Sequence, residues 1–231
     1  MLADPGSKTI HAYGVYNHEA TGMQKGFARP GYYFIDRNGI IREKFFEARY
    51  RERLTGNSII AKLFPELGQE VTDTVEAPHL QLALEQSDRT GVPGTRVTLS
   101  TVVRLPADVH VYAPGVHGYK PVQLVMEAVP QLELKAAVYP ESRTLYLPAI
   151  KESVPVFEGT FRISMDVRVS SSSEFWGSLG KDGKVFTIAG KLEYQACDKS
   201  ICYLPASVPV KWQLQVSPLD RTRAPISMRH K

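Results

Sequence analysis

Sulfur is the scarcest chemistry in this 231-residue chain: it has two cysteines, Cys197 and Cys202, and none before residue 197. Any dithiol reaction of the chain therefore belongs to its C-terminal end. Long apolar runs are missing as well. No stretch approaches the ~20 residues needed to cross a bilayer as a helix, so no membrane span is expected. Charge of one sign is also in short supply. The formal net charge is +4, and part of it sits in the terminal "RTRAPISMRHK". That describes a basic tail over 218–231, not a nucleic-acid surface, and no nucleic-acid partner is expected. The opening "MLADPGSKTIHAYG" lacks a basic start followed by an apolar run and is not a signal peptide. Taken literally, that suggests the cytoplasm. Yet Asp4-Pro5-Gly6 forms a turn signal before any element has been laid down, as expected of a chain that has lost a leader and its first strands.

What is present is ordinary for a globular protein, with 43% hydrophobic and 23% charged residues. Two segments differ in period. In 1–68, "YYFIDRNGIIREKFF" (32–46) reads as strand, turn and strand, with Asn38-Gly39 as the hairpin signal. "NSIIAKLFPEL" (57–67) then reads as a helix capped by Asn57 or Ser58. Ile59, Ile60, Leu63 and Phe64 form its apolar face, and Pro65 ends it. This is a small α/β unit with too few elements to close a core alone. "GQEVTDTVEAPH" is polar and weakly patterned, which makes 69–79 a linker. Over 80–217 short alternating runs such as "TRVTLSTVVRL", "GTFRISMDVRVS" and "VPVKWQLQVS" follow one another between turn residues. Such a series predicts a mainly β sandwich, with "SSSEFWGSLGKDGK" (171–184) as a long polar loop.

Cys197 and Cys202 fall where one such run ends and the next begins, with Asp198-Lys199-Ser200-Ile201 between them. Paired strands would bring the two within bridging distance. A structural staple is one reading, although closing so short a loop stabilises by only about 2 kcal/mol, against more than about 4 for a hundred-residue loop. Two unrelated thiols are another. A metal half-site is a third, weakened because none of the six histidines lies within a few residues of the pair. Redox chemistry suits a short, exposed dithiol. Lys199, with Lys191 and Lys211 on the flanking runs, would favour the thiolate; Asp198 would oppose it, or exchange the thiol proton.

"LEYQACDKSICYLPASVPVKWQL" resembles the terminal hairpin of the N-terminal domain of the thiol:disulfide interchange protein DsbD, where a "YQ-C-…-C-Y-P" string bears the redox pair. The likeness extends over about residues 80–217 through "VHVYAPGVHGYKPV", "YPES" (139–142) and "VPVFEG" (154–159). It implies an immunoglobulin-like sandwich that passes electrons to and from thioredoxin-like partners through a mixed disulfide, with no cofactor and no metal. By position, it assigns the redox pair to Cys197 and Cys202 and a disulfide-shielding cap phenylalanine to Phe157. His110 and Tyr112 fall where the family places tyrosines near the sulfurs. The acids expected before the cap phenylalanine are Pro155 and Val156 here, which leaves Asp198 or Glu158 as substitutes.

Residues 1–68 carry a second resemblance. "LADPGSKTIHAYGV" and "RPGYYFIDRNG" are similar to the C-terminal half of redoxins of the alkyl hydroperoxide reductase/thiol-specific antioxidant family. This implies an incomplete thioredoxin-like segment in which Pro30 is the proline that usually carries a cis peptide beside the active site. The reactive cysteine of a redoxin lies upstream of the matching segment, and none is present. The combined expectation is a periplasmic, or otherwise extracytoplasmic, thiol–disulfide oxidoreductase fused to part of a redoxin. Its rivals are a non-catalytic sandwich with a cysteine clip and a fragment of a peroxide-reducing enzyme.

Overall fold

A computed structural model describes residues 4–47, 49, 51–147 and 151–220. The basic tail expected over 218–231 lies almost wholly outside them. The chain is mainly β. It opens with helix α1 (Lys8–Ala12) and a hairpin of β1 (Gly31–Ile35) and β2 (Ile41–Phe46). The hairpin turn forms as expected: Asp36 Oδ1 accepts from Asn38 N at 2.9 Å and Ile40 N at 3.0 Å, and Gly39 takes a φ of 78°. β1 and β2 form a separate two-stranded sheet, and Tyr32, Ile35, Ile40 and Ile41 on it are exposed. The expected cis peptide at Pro30 is not formed, since no described peptide bond is cis. Pro30 enters β1 as a strand-edge residue whose carbonyl accepts from Glu47 N at 2.9 Å.

Strand β3 (Arg53–Leu54) and helix α2 (Gly56–Leu63) follow. The helix is capped two or three residues earlier than expected, by Thr55, whose hydroxyl oxygen accepts from Ser58 N at 3.0 Å. It buries Ser58 and Ala61, not the apolar stripe of Ile59, Ile60, Leu63 and Phe64. The cause lies in what it packs on, the polar outer face of a sheet.

The remainder is β4 (Glu70–Ala77), β5 (Leu80–Gln86), β6 (Thr90–Gly91), β7 (Thr95–Arg104), β8 (His110–Tyr112), β9 (Gln123–Met126), β10 (Leu132–Leu134), β11 (Arg143–Leu147), β12 (Glu152–Glu158), β13 (Thr160–Val169), helix α3 (Ser173–Ser178), β14 (Lys184–Tyr194), β15 (Ala196–Cys197) and β16 (Ala206–Val216). The large sheet runs β10-β13-β7-β5-β4, with β3 adding in parallel to β7; the opposing sheet runs β6-β16-β14-β9. Together they make the immunoglobulin-like sandwich expected from the sequence. Residues 70–77, read as a linker, form its edge strand instead. β4 pairs with β5, and its Val75 and Ala77 pack against the core while its acids face out. A charged edge strand reads as polar from sequence alone. In the expected polar loop 171–184, Ser172 caps α3 and Phe175 is buried.

Alternation sets the layers. Along β13, Phe161, Ile163, Met165, Val167 and Val169 point inward and meet Leu82, Leu84, Val97 and Leu99 of the same sheet and Ile188, Leu192, Trp212 and Leu214 of the other. Trp212 satisfies its ring N–H on the Glu85 carbonyl at 3.1 Å. The intervening side chains Arg162, Asp166 and Arg168 point outward, and Glu47 and residues 51–67 meet that face. Lys62 pairs with Asp166 at 2.8 Å, Glu47 with Arg96 at 2.6 Å, and Glu52 with Arg168. Glu47 and Glu52 are both buried, so these pairs attach the segment where an apolar face would otherwise be needed.

Leu84 is fully buried and Ile60 is 46% exposed. Leu84→Ala should therefore lower stability by about 2–5 kcal/mol in urea unfolding, whereas Ile60→Ala should change it by no more than about 0.5 kcal/mol.

Candidate redox site

A third sheet, ordered β11-β12-β8-β15, carries Cys197 on its edge strand, and Cys202 forms an isolated antiparallel bridge to it. Its pairing places Cys197 opposite His110 and His110 opposite Glu158. Tyr112 lies opposite Val156, and Val156 opposite Arg143. Paired residues share a face, and neighbours along a strand alternate. One face therefore holds Cys197, His110, Tyr112, Val154 and Val156, and the other holds Ala196, Val111 and Phe157. The buried residues sort in the same way. Val111, Phe157 and Ala196 belong to the main core, while Tyr112, Val154, Val156 and Cys197 form a separate cluster that Val116, Tyr119, Leu145 and Leu147 flank.

This corrects the role expected for Phe157. It is 4% exposed, pairs with Val111 and stacks on Phe161 at 4.6 Å between ring centres. One register position separates it from Val156, and that step turns its ring away from the sulfurs into the core. The side chains that flank the cysteine cluster come instead from β11 and β12, as Leu145, Leu147, Val154 and Val156. The sequence carried a signal for them in the alternation of "RTLYL" and "ESVPVF". Tyr119, stacked on Tyr112 at 4.4 Å, had none.

Cys197 and Cys202 form a disulfide across their hairpin, with Cα atoms 4.0 Å apart. Cys197 is 1% exposed and Cys202 is exposed at the surface. The Tyr112 hydroxyl stands 3.6 Å from Cys202 Sγ and 3.7 Å from Cys197 Sγ. Disulfide sulfurs carry no hydrogen, so the hydroxyl is the donor. Burial, and then the nearby Glu152 charge, push the Tyr112 pKa up and keep that proton in place.

Asp198 is engaged within the loop. Its carboxylate accepts from Ser200 N at 2.6 Å, Ile201 N at 2.9 Å and the Tyr203 hydroxyl at 2.7 Å. The Tyr203 bond, followed by the two backbone bonds, brings its pKa down to about 2. A carboxylate so acidic braces the turn and is a poor proton carrier near neutrality. Tyr203 in turn stacks on His79 at 3.6 Å. Lys199 is drawn away from the sulfurs by Asp108, 2.6 Å from its Nζ. Glu158 pairs with Arg143. Pro30 is not brought to this sheet; it immediately precedes β1 of the separate two-stranded hairpin. No group of three or more potential metal ligands occurs among the described residues, and no described helix is long and apolar enough to cross a membrane.

His110 is 4% exposed, and its ring meets that of Tyr112 edge-on at 5.6 Å. Its Nε2 is buried without a hydrogen-bond partner among the described residues. Burial pulls its pKa below the ordinary histidine value, against the opposing charges of Glu158 and Asp198.

After reduction, a hydroxyl donor beside a thiolate is a charge-assisted hydrogen bond, worth about 1.5–3 kcal/mol. Tyr112→Phe should therefore raise the lower thiol pKa of the reduced pair by about 1 unit or more. Titration of the thiolate ultraviolet absorbance checks this.

Residues 81–212, more than half of the chain, match the family described as thiol:disulfide interchange protein DsbD, N-terminal. No curated protein matches the sequence. Among solved structures, one similar chain is the N-terminal periplasmic domain of ScsB from Proteus mirabilis, at 12% identity and a TM-score of 0.42, over 64% of this chain and 52% of that one. Another is the N-terminal domain of Neisseria meningitidis DsbD in its reduced form, at 10% identity and a TM-score of 0.34, over 51% of this chain and 77% of that one. The chain thus spans about half the length of the first and about three quarters of the second. From the family match over its sandwich, the chain belongs to the DsbD N-terminal domain family.

Proposed function

We propose that the Cys197–Cys202 pair exchanges electrons with a thioredoxin-like protein or domain through a mixed disulfide, in an oxidising extracytoplasmic compartment. The observation that carries this reading is the asymmetry of the disulfide. Cys202 is exposed, and Cys197 lies directly behind it, buried against the Tyr112 cluster. Thiol–disulfide exchange needs one sulfur that a partner can reach in line and a second held ready to displace it. Cys202 is then the sulfur that joins the partner, and Cys197 the one that resolves the adduct. Ile201 and Leu204, 56% and 89% exposed, flank Cys202 and offer apolar contact to a docking partner. Leu145 and Leu147, beside the buried cluster, take over the gating role first assigned to Phe157. Tyr112 and His110 tune the sulfurs.

The family membership supports the exchange chemistry, and the periplasmic origin of the ScsB domain supports the compartment. Residues 1–68 lie outside the family match. For them the redoxin-like motifs favour a fused thioredoxin-like neighbour, with 80–217 as the exchanging unit. A redoxin carried on the same chain would meet the disulfide as an intramolecular partner, without a second protein having to diffuse to it.

The two cysteines should separate in a trapping experiment with an oxidised thioredoxin. Reduced Cys197→Ser should accumulate a stable mixed disulfide through Cys202. Reduced Cys202→Ser should give at least about ten-fold less adduct, because its remaining thiol is buried. Equal trapping by the two variants, or trapping through Cys197 alone, would contradict the assignment.

A further inference from the structure

Resting on the exchange reading above, we infer that His110 is the general base for Cys197, taking its thiol proton as that sulfur resolves the mixed disulfide. Three observations meet at this residue. His110 is the direct cross-strand partner of Cys197 and shares its face of the sheet. Directly opposed residues of an antiparallel pair have Cβ atoms about 4.5–5.5 Å apart, within reach of an imidazole and a thiol. The ring is almost wholly buried, yet Nε2 has no hydrogen-bond partner among the described residues. A buried polar atom left open costs stability, and a proton acceptor needed only in the reduced state accounts for it. Finally, the alternatives are occupied. Asp198 is tied to its own turn, and Glu158 to Arg143.

The groups facing His110 come from three directions. Glu158, with Arg143 behind it, lies across on β12; Cys197 and Asp198 lie on the other side; Tyr112 follows on its own strand. Lys199 and Asp108 pair with each other at the rim. The two carboxylates favour the imidazolium once it forms, while burial favours the neutral ring beforehand. That combination suits a base that is empty at rest and charged only in passing.

The step balances as follows. Cys202 is already bonded to a sulfur of the partner. The Cys197 thiol proton passes to His110 Nε2, and the Cys197 thiolate attacks Cys202 Sγ. The Cys197–Cys202 bond forms, the Cys202–partner bond breaks, and its electron pair leaves on the partner's sulfur as a thiolate. The pair is oxidised and the partner reduced by two electrons. In the reverse direction the imidazolium returns the proton to Cys197 as it departs.

The test uses the reduced full chain with one equivalent of glutathione disulfide. The glutathionylated intermediate is followed by acid quench and mass measurement across a pH series. In the native protein, resolution should rise with the His110 titration below about pH 6.5 and be level by about pH 7. Without such a base it would follow the thiol, near pH 8.5. His110→Asn and His110→Gln should slow resolution at pH 7 by at least about ten-fold and move the rise up to the thiol's own pKa, so that native and variant rates converge near pH 9. A native profile centred near pH 8.5, or variant profiles superimposed on the native one, would overturn the role of His110. The native profile decides the matter even if neither variant folds. Failure of the native protein to form or resolve any glutathione adduct would instead overturn the exchange reading itself, and this inference with it.

Discussion

The two-residue period of one small sheet governs the arrangement. In β11-β12-β8-β15 every second side chain must face the sandwich core, because Val111, Phe157 and Ala196 complete it, and every other one must therefore face away. Among the described residues no second sheet lies over that outward face. It is covered by its own aliphatic side chains and by Tyr119, and there the sulfurs, His110 and Tyr112 gather. The core thus holds the reactive pair rigid from behind without surrounding it. A shift of one residue in any of these strands would exchange the two sets.

The same rule explains how the N-terminal segment is attached. The outer face of the large sheet carries Arg96, Arg162, Asp166 and Arg168; Arg162 pairs with Glu85 of the same sheet, and an apolar cover would take from Arg96, Asp166 and Arg168 the partners they find in the N-terminal segment. Glu47, Glu52 and Lys62 of the N-terminal segment meet Arg96, Arg168 and Asp166. Glu47 is pushed up in pKa mainly by burial, a cost that its Arg96 partner offsets. The β1–β2 hairpin pairs with no other described strand and leaves its apolar side chains in the open.

Much of this was legible in the sequence. Alternating runs gave the sandwich, Asn38-Gly39 gave the hairpin turn, and the spacing of Cys197 and Cys202 allowed the bridge now seen between them. What the sequence did not disclose depended on tertiary partners. β4 was hidden because a charged edge strand has the composition of a linker. The buried side of α2 was missed because the sheet beneath it is polar. Phe157 was misplaced because motif similarity carries no face, and a single position along a strand decides between core and site. Tyr119 and His79 lie far from the cysteines in sequence and are brought to the site's surroundings by the fold, where they stack on Tyr112 and Tyr203.

The central claim is that this disulfide is a working group and not a clip. Its reduction potential, measured by equilibration of the full chain against a defined dithiol/disulfide buffer, tests that most directly. Exchange with thioredoxin-like proteins requires a value above about −300 mV. A value well below about −300 mV would make the bridge a structural staple, and the account of Cys202, Cys197 and their neighbours would fall with it.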